Sequence, residues 1–311
     1  MVYFKRWAAR AALGLAVAGL GGCASFEFTK PAPAQQQPIA VKLSGEDLSG
    51  WSDLPIGTYR VPDSQVIVSG HQKGAGAGML FGLVGVAIAH AANANAGGQT
   101  VKDVEDTLRI KLNDQITAAV GQVISSQSLG SKFTQTEAAG ATTMLLTPGV
   151  VLSFVSETDV RPFVVLKASL QGADKKPLWT TRYMASTGAA KPLTGEGSWT
   201  DQNGAALKVA IQASLDQAVR VMLTDVSQPY KRDDAALTVV QGNFPYVKPR
   251  LQIVGYKLAE DDRYVTFIPK LGDVLVFAGV NVLDKNVTVV RTATKEDAVF
   301  KTIDDTPVKK Q

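Results

Sequence analysis

Cysteine is nearly missing from this chain: Cys23 is the only one. An internal disulfide framework and a Cys-rich metal site are therefore excluded. Histidine is almost as scarce, with His71 and His90 alone, so a Cys/His dyad would have to use Cys23. No G-x-S-x-G element is present for serine catalysis, and no Walker lysine follows the glycine-rich stretch. A broad excess of one charge is missing too. Lys+Arg number 32 and Asp+Glu 28, but Lys5, Arg6 and Arg10 fall within the first 22 residues, where no acid occurs. Without them the balance is 29 against 28, which disfavours a nucleic-acid footprint. What remains is 45% apolar and 19% charged over 311 residues, ample for a buried core of about two average domains.

The N-terminus pairs those three cations with an uncharged run, Ala11 to Leu20, followed by Gly21-Gly22-Cys23-Ala24-Ser25. A basic region and a short apolar core form a secretory signal, since a spanning helix needs about 20 residues. Leu20-Gly21-Gly22-Cys23 resembles the bacterial lipobox, and residues 1–25 alone carry this resemblance to bacterial lipoproteins. The resemblance implies that residues 1–22 are removed and that the Cys23 thiol carries a diacylglyceryl thioether at the new, acylated (palmitate-type) N-terminus. Two or three acyl chains, at about 0.8 kcal/mol per buried methylene, anchor a protein durably. Ala24, where inner-membrane retention would place Asp, implies sorting to the outer membrane, with the body facing the periplasm. Residues 23–45, which include Pro31, Pro33, Gln35-Gln36-Gln37 and Pro38, read as a flexible tether.

Between Lys73 and Lys102 there is no formal charge. Segment 74–97 within it is glycine-rich and apolar, and Gly78, Gly82 and Gly85 lay out a small-xxx-small face that allows close approach of helices or of a bilayer. It reads either as a hairpin packed in the soluble fold or as a self-association or membrane-contact element. A dinucleotide fingerprint fails, because no third glycine stands in register after Gly74 and Gly76.

The spacing of Val104, Leu108, Leu112, Ile116, Val120 and Val123 predicts a helix over about 101–126, and Leu207, Ile211, Leu215, Val219 and Met222 predict another over about 204–225, capped by Asp201 or Asn203. Between them, 163–170 and 178–184 form a hairpin, and 142–155 is one broken strand or two around Pro148-Gly149. The expected architecture is α+β, with helices packed on one face of a mostly antiparallel sheet over residues 46–228. A small all-β C-terminal domain is expected over 235–305, its strands including 274–277.

Trp199 ends the long loop 186–200. It is a candidate either for stacking on a partner or for plugging the sheet–helix joint. The pairs Asp233-Asp234, Asp261-Asp262 and Asp304-Asp305 fall at expected turns and read as solvating acids rather than a glycosidase pair. No catalytic residue, metal or cofactor is assigned. The expected function is a lipid-anchored, non-enzymatic periplasmic scaffold or assembly component of the cell envelope. Its partners would be the membrane through the anchor, envelope proteins and a second copy of itself, with no nucleic acid. The alternative is an oligomeric, membrane-inserting part of a secretion or pore complex that uses segment 74–97.

Overall fold

The computed structural model describes residues 27–45, 58–69, 98, 101–136 and 140–303. Fourteen strands occur among them: β1 Ile39–Leu43, β2 Tyr59–Arg60, β3 Val66–Ser69, β4 Phe133–Thr134, β5 Thr143–Phe154, β6 Asp159–Gln171, β7 Pro177–Ala185, β8 Lys191–Pro192, β9 Leu237–Gly242, β10 Arg250–Glu260, β11 Tyr264–Pro269, β12 Val280–Asp284, β13 Val289–Thr292 and β14 Phe300–Ile303. The helices α1 Asn113–Ser126 and α2 Asp201–Ser227 accompany them.

All fourteen strands join one sheet, whose main path runs β13-β9-β10-β11-β12-β7-β6-β5-β1-β4. This overturns the expected fold class. The sheet is mixed, because β1 runs parallel to β4 and β5, β3 parallel to β5, and β12 parallel to β7. Strand dominates the chain, and α2 lies against β6 and β7 while α1 touches α2 and β1, so the helices do not layer one face of an antiparallel sheet. The physical reason is pairing that periodicity does not reveal. Val280–Val282 line up with Tyr183–Ala185 of β7 and carry the C-terminal strands into the central sheet.

Alternation along the long strands divides the core. Val150, Leu152, Val164 and Leu166 point into one cluster with Ile116, Leu207, Ile211 and Leu215 of the helices. Val151, Phe163 and Val165 point the other way, into a second cluster with Val240, Phe244, Ile253, Phe267 and Phe277 of the C-terminal part. Both faces of β5 and β6 are thus buried, and each strand reads as a near-continuous apolar run for that reason.

Pro148 does not break β5. Residues 143–146 pair with β1 and 150–153 with β3, so Pro148 sits between the two parallel neighbours, where its missing N–H costs no ladder bond on that side. The first expected helix is interrupted instead. Lys102–Leu108 is a 3₁₀ helix. Ser64 Oγ then donates to the Leu108 carbonyl, Gln65 Oε1 accepts the Leu112 N–H at 2.6 Å, and the Ile110 carbonyl accepts the Gln65 N–H at 2.8 Å. Backbone groups that would close helical turns are spent on the edge of β3, and α1 starts only at Asn113. In α2, Gln202, Asn203 and Gly204 are left-handed, so regular helix begins just after the expected start. The predicted strand at 274–277 is 3₁₀ turn and loop, and the true strand, β12, follows Gly279.

Candidate functional site

The described chain opens on a short strap that the body holds down. Residues Glu27–Thr29 form one 3₁₀ turn. The backbone N–H groups of Glu27 and Phe28 donate to the two carboxylate oxygens of Asp273, at 2.9 and 3.0 Å. Thr181 Oγ1 on β7 donates to the Phe28 carbonyl at 2.5 Å, and Trp179 Nε1 to the Lys30 carbonyl at 2.9 Å. Arg182 lies over the Phe28 ring with its guanidinium carbon 4.2 Å from the centroid. Ala32 is buried in the core and Ile39 enters β1. With Arg232, whose Nε donates to the Thr29 carbonyl, five side chains grip a segment whose composition predicts a tether. Their grip is mainly on carbonyls and N–H groups, which any sequence supplies.

Behind the strap lies a buried polar knot. Arg232 Nε donates to the Thr29 carbonyl at 2.9 Å, and its Nη2 stands 3.4 Å from Asp225 Oδ2. Asp225, near the end of α2, is 1% exposed. Its Oδ2 also accepts the Tyr183 hydroxyl at 2.9 Å, and its Oδ1 the Tyr230 N–H at 3.1 Å. Burial first, and then the neighbouring Asp225 charge, push the Tyr183 hydroxyl well above its ordinary range, and the same two causes raise Tyr230. The knot ties α2, β7 and the 228–232 turn to the strap.

A polar cleft of about 180 Å³ adjoins it, lined among others by Gln217, Arg220, Tyr230, Glu260, Asp261 and Tyr264. Its charges are paired: Arg220 with Asp261 at 3.5 Å, and Glu260 with Lys257 and Lys285 at 2.8 and 2.7 Å. Hydrogen bonds from those two lysines hold Glu260 down to about 2. Burial opposes the ionisation of Asp261, but the N–H groups of Tyr264 and Arg263 outweigh it and lower its pKa. Both carboxylates are ionised near neutral pH, so neither is a proton donor there. A second, more apolar pit of about 190 Å³ lies between β1 and α1, with Val41, Leu43, Ile116, Val120 and Leu146 on its walls. Both are smaller than the roughly 300 Å³ at which small-molecule sites begin.

Cys23, Gly78, Gly82 and Gly85, like His71, His90 and the Asp304-Asp305 pair, lie outside the described residues. Trp199 is buried, its Nε1 donates to the Val160 carbonyl at 2.6 Å, and the Lys191 ammonium stands 5.5 Å from its ring centroid. The indole fills the joint between β6 and the start of α2. Asp233 accepts the Ala235 N–H at 2.9 Å, and Asp234 accepts from Tyr256 and Lys270, at 2.8 and 3.0 Å. No group of three or more potential metal ligands occurs among the described residues. No described helix is long and apolar enough to cross a membrane.

No family model matches the chain, and no curated protein matches it. Among solved structures, a minor lipoprotein from Acinetobacter baumannii is similar over 37% of this chain and 82% of its own length, at 10% identity and a TM-score of 0.28. That likeness assigns no family. Its name agrees with an envelope lipoprotein and with nothing finer, and at such a score it carries no argument about this fold.

Proposed function

We propose that the protein is a lipid-anchored, non-enzymatic component of the bacterial cell envelope. It is held on the periplasmic face of the outer membrane and works as a scaffold or assembly part. The observation that carries this reading is the run Leu20-Gly21-Gly22-Cys23, with the chain's sole cysteine at the one position lipidation requires. The strap supports it, because Glu27, four residues beyond that cysteine, is already held against the body by Asp273. A large mixed sheet closed on both faces, with small cavities and paired charges beside the strap, suits a rigid body that binds through its surface.

Intact mass and flotation of the protein from its own host test the reading. The mature chain is expected to begin at Cys23 and to weigh more than its residues by two or three acyl chains. Cys23→Ser is expected to leave an uncleaved, unacylated chain. A bare thiol at Cys23 in membrane-associated protein would overturn the anchor. Affinity capture from solubilised envelopes then tests the scaffold role: recovery of the acylated protein alone, as a monomer, would refute it.

A further inference from the structure

We infer that the strap fixes which way up the body sits, pressing the face that carries the β11–β12 loop onto the bilayer and holding the β5–β6 turn away from it. The inference rests on acylation of Cys23 and adds a membrane-contact surface to that reading.

Leash length is the first step. From Cys23 to Glu27 the chain advances four residues, at most about 14 Å even when fully extended. Glu27 is not free to drift, because its N–H and that of Phe28 are bound to Asp273 in the 3₁₀ turn Gly272–Val274 between β11 and β12. Adding the 2.9 Å from the Glu27 N–H to the Asp273 carboxylate, the bilayer surface lies within roughly 17 Å of Asp273. Geometry along the hairpin gives the other end. Thr181, which holds the Phe28 carbonyl, pairs with Ala168, and β6 runs from Ala168 back to the turn at 155–158. Some ten residues at about 3.3 Å each place Thr158 roughly 33 Å from the strap.

Charge does not do this work. Around the strap, Lys231 pairs with Asp233 and Lys270 with Asp234, while Asp273 accepts the strap's own N–H groups, so these lysines form no basic patch that draws anionic headgroups. The contact is set by chain length and by the five-sided grip, and it is expected to be insensitive to salt. An undocked leash would differ in kind. Sixteen residues from Cys23 to Ile39 reach about 20 Å as coil and over 50 Å extended, which lets the body tumble.

The acylated protein has no free thiol, so a nitroxide reports only from an introduced cysteine. Lys270→Cys and Thr158→Cys, each in the full-length lipoprotein, are reconstituted into vesicles carrying nickel-chelating headgroups, and spin relaxation is read at each site. Relaxation at 270 is expected to exceed that at 158 several-fold, equally at low and high salt. Inserting about twelve Gly/Ser residues between Ala24 and Ser25, which touches no described residue, is expected to abolish the difference, as is Asp273→Ala combined with Thr181→Val. Equal relaxation at the two sites in acylated, floating protein overturns the orientation while leaving the anchor intact. A difference that survives the Gly/Ser insertion overturns the leash as its cause. A protein with a bare Cys23 that fails to float refutes the anchor itself, and the orientation with it.

Discussion

Replacing Asp225 with Ala tests whether the knot behind the strap is structural. The carboxylate is 1% exposed and accepts from the Tyr183 hydroxyl, the Tyr230 N–H and the Arg232 guanidinium. Truncation leaves three donors facing a hole. A buried hydroxyl or N–H without a partner costs about 1–3 kcal/mol, and a half-buried cation deprived of its anion costs more, so the loss should fall near the 3–5 kcal/mol of a broken buried pair. For a chain of this size each kcal/mol shifts the melting temperature by about 2–4 °C, and the expected drop is about 10 °C. Tyr183→Phe removes one donor and leaves Asp225 two others, so about 1 kcal/mol is expected. The two changes share a hydrogen bond, and Tyr183→Phe should cost almost nothing in an Asp225→Ala background. Calorimetry on the form lacking residues 1–23 reads all four corners of the cycle. A melting temperature for Asp225→Ala within about 2 °C of the parent, or strictly additive effects, would refute the network.

Alkali should loosen the same place. Tyr183 and Tyr230 have folded-state pKa values above 10, so the folded chain keeps protons that the unfolded chain releases, and stability falls as pH rises past 10. Tyr183→Phe is expected to flatten that limb in chemical denaturation. In acid the sign reverses. Glu260, held at about 2 against 4.5, contributes stability that is complete above pH 4.5 and disappears toward pH 2, so Glu260→Gln should make the acid limb shallower. Gly279→Ala meets two obstacles, a φ of +123° and a Cβ placed 2.5 Å from the Arg182 carbonyl oxygen, and should cost about 3 kcal/mol or more. Gly130→Ala, with nothing within 4 Å, should stay within about 0.5 kcal/mol of the parent. Trp199→Phe deletes the 2.6 Å bond to the Val160 carbonyl and is expected to lower stability by about 1–3 kcal/mol in urea titration.

Most individual elements are legible in the sequence, and their assembly is not. The apolar positions of the second helix, Leu207 to Met222, all turn inward, and residues 163–170 and 178–184 pair as the expected antiparallel hairpin. These are local patterns with a fixed period. The fold class fails because it depends on which strands meet. Nothing in Val280-Asn-Val282 shows that it runs parallel to Tyr183–Ala185, and nothing in Pro148 shows that two separate strands flank it on one side of β5.

The strap escapes sequence reading for a different reason. Proline, glutamine and alanine after Cys23 signal a tether because they cannot build a core. Docking needs no core when the partner supplies the side chains. Asp273, Thr181, Trp179 and Arg232 lie 150 to 250 residues downstream and bind backbone atoms at 27–30, and the only local trace is Phe28, an aromatic in polar company that ends up beneath Arg182. Asp225 is hidden in the same way, since an acid near a helix C-terminus reads as solvated until a tyrosine and an arginine converge on it. A site made of distant side chains closing on main chain leaves little periodicity, charge clustering or motif behind. Here it stands four residues from the lipobox-like run ending at Cys23, the one motif the sequence states openly, so under the proposed anchoring the acylated cysteine and this clamp act as one device.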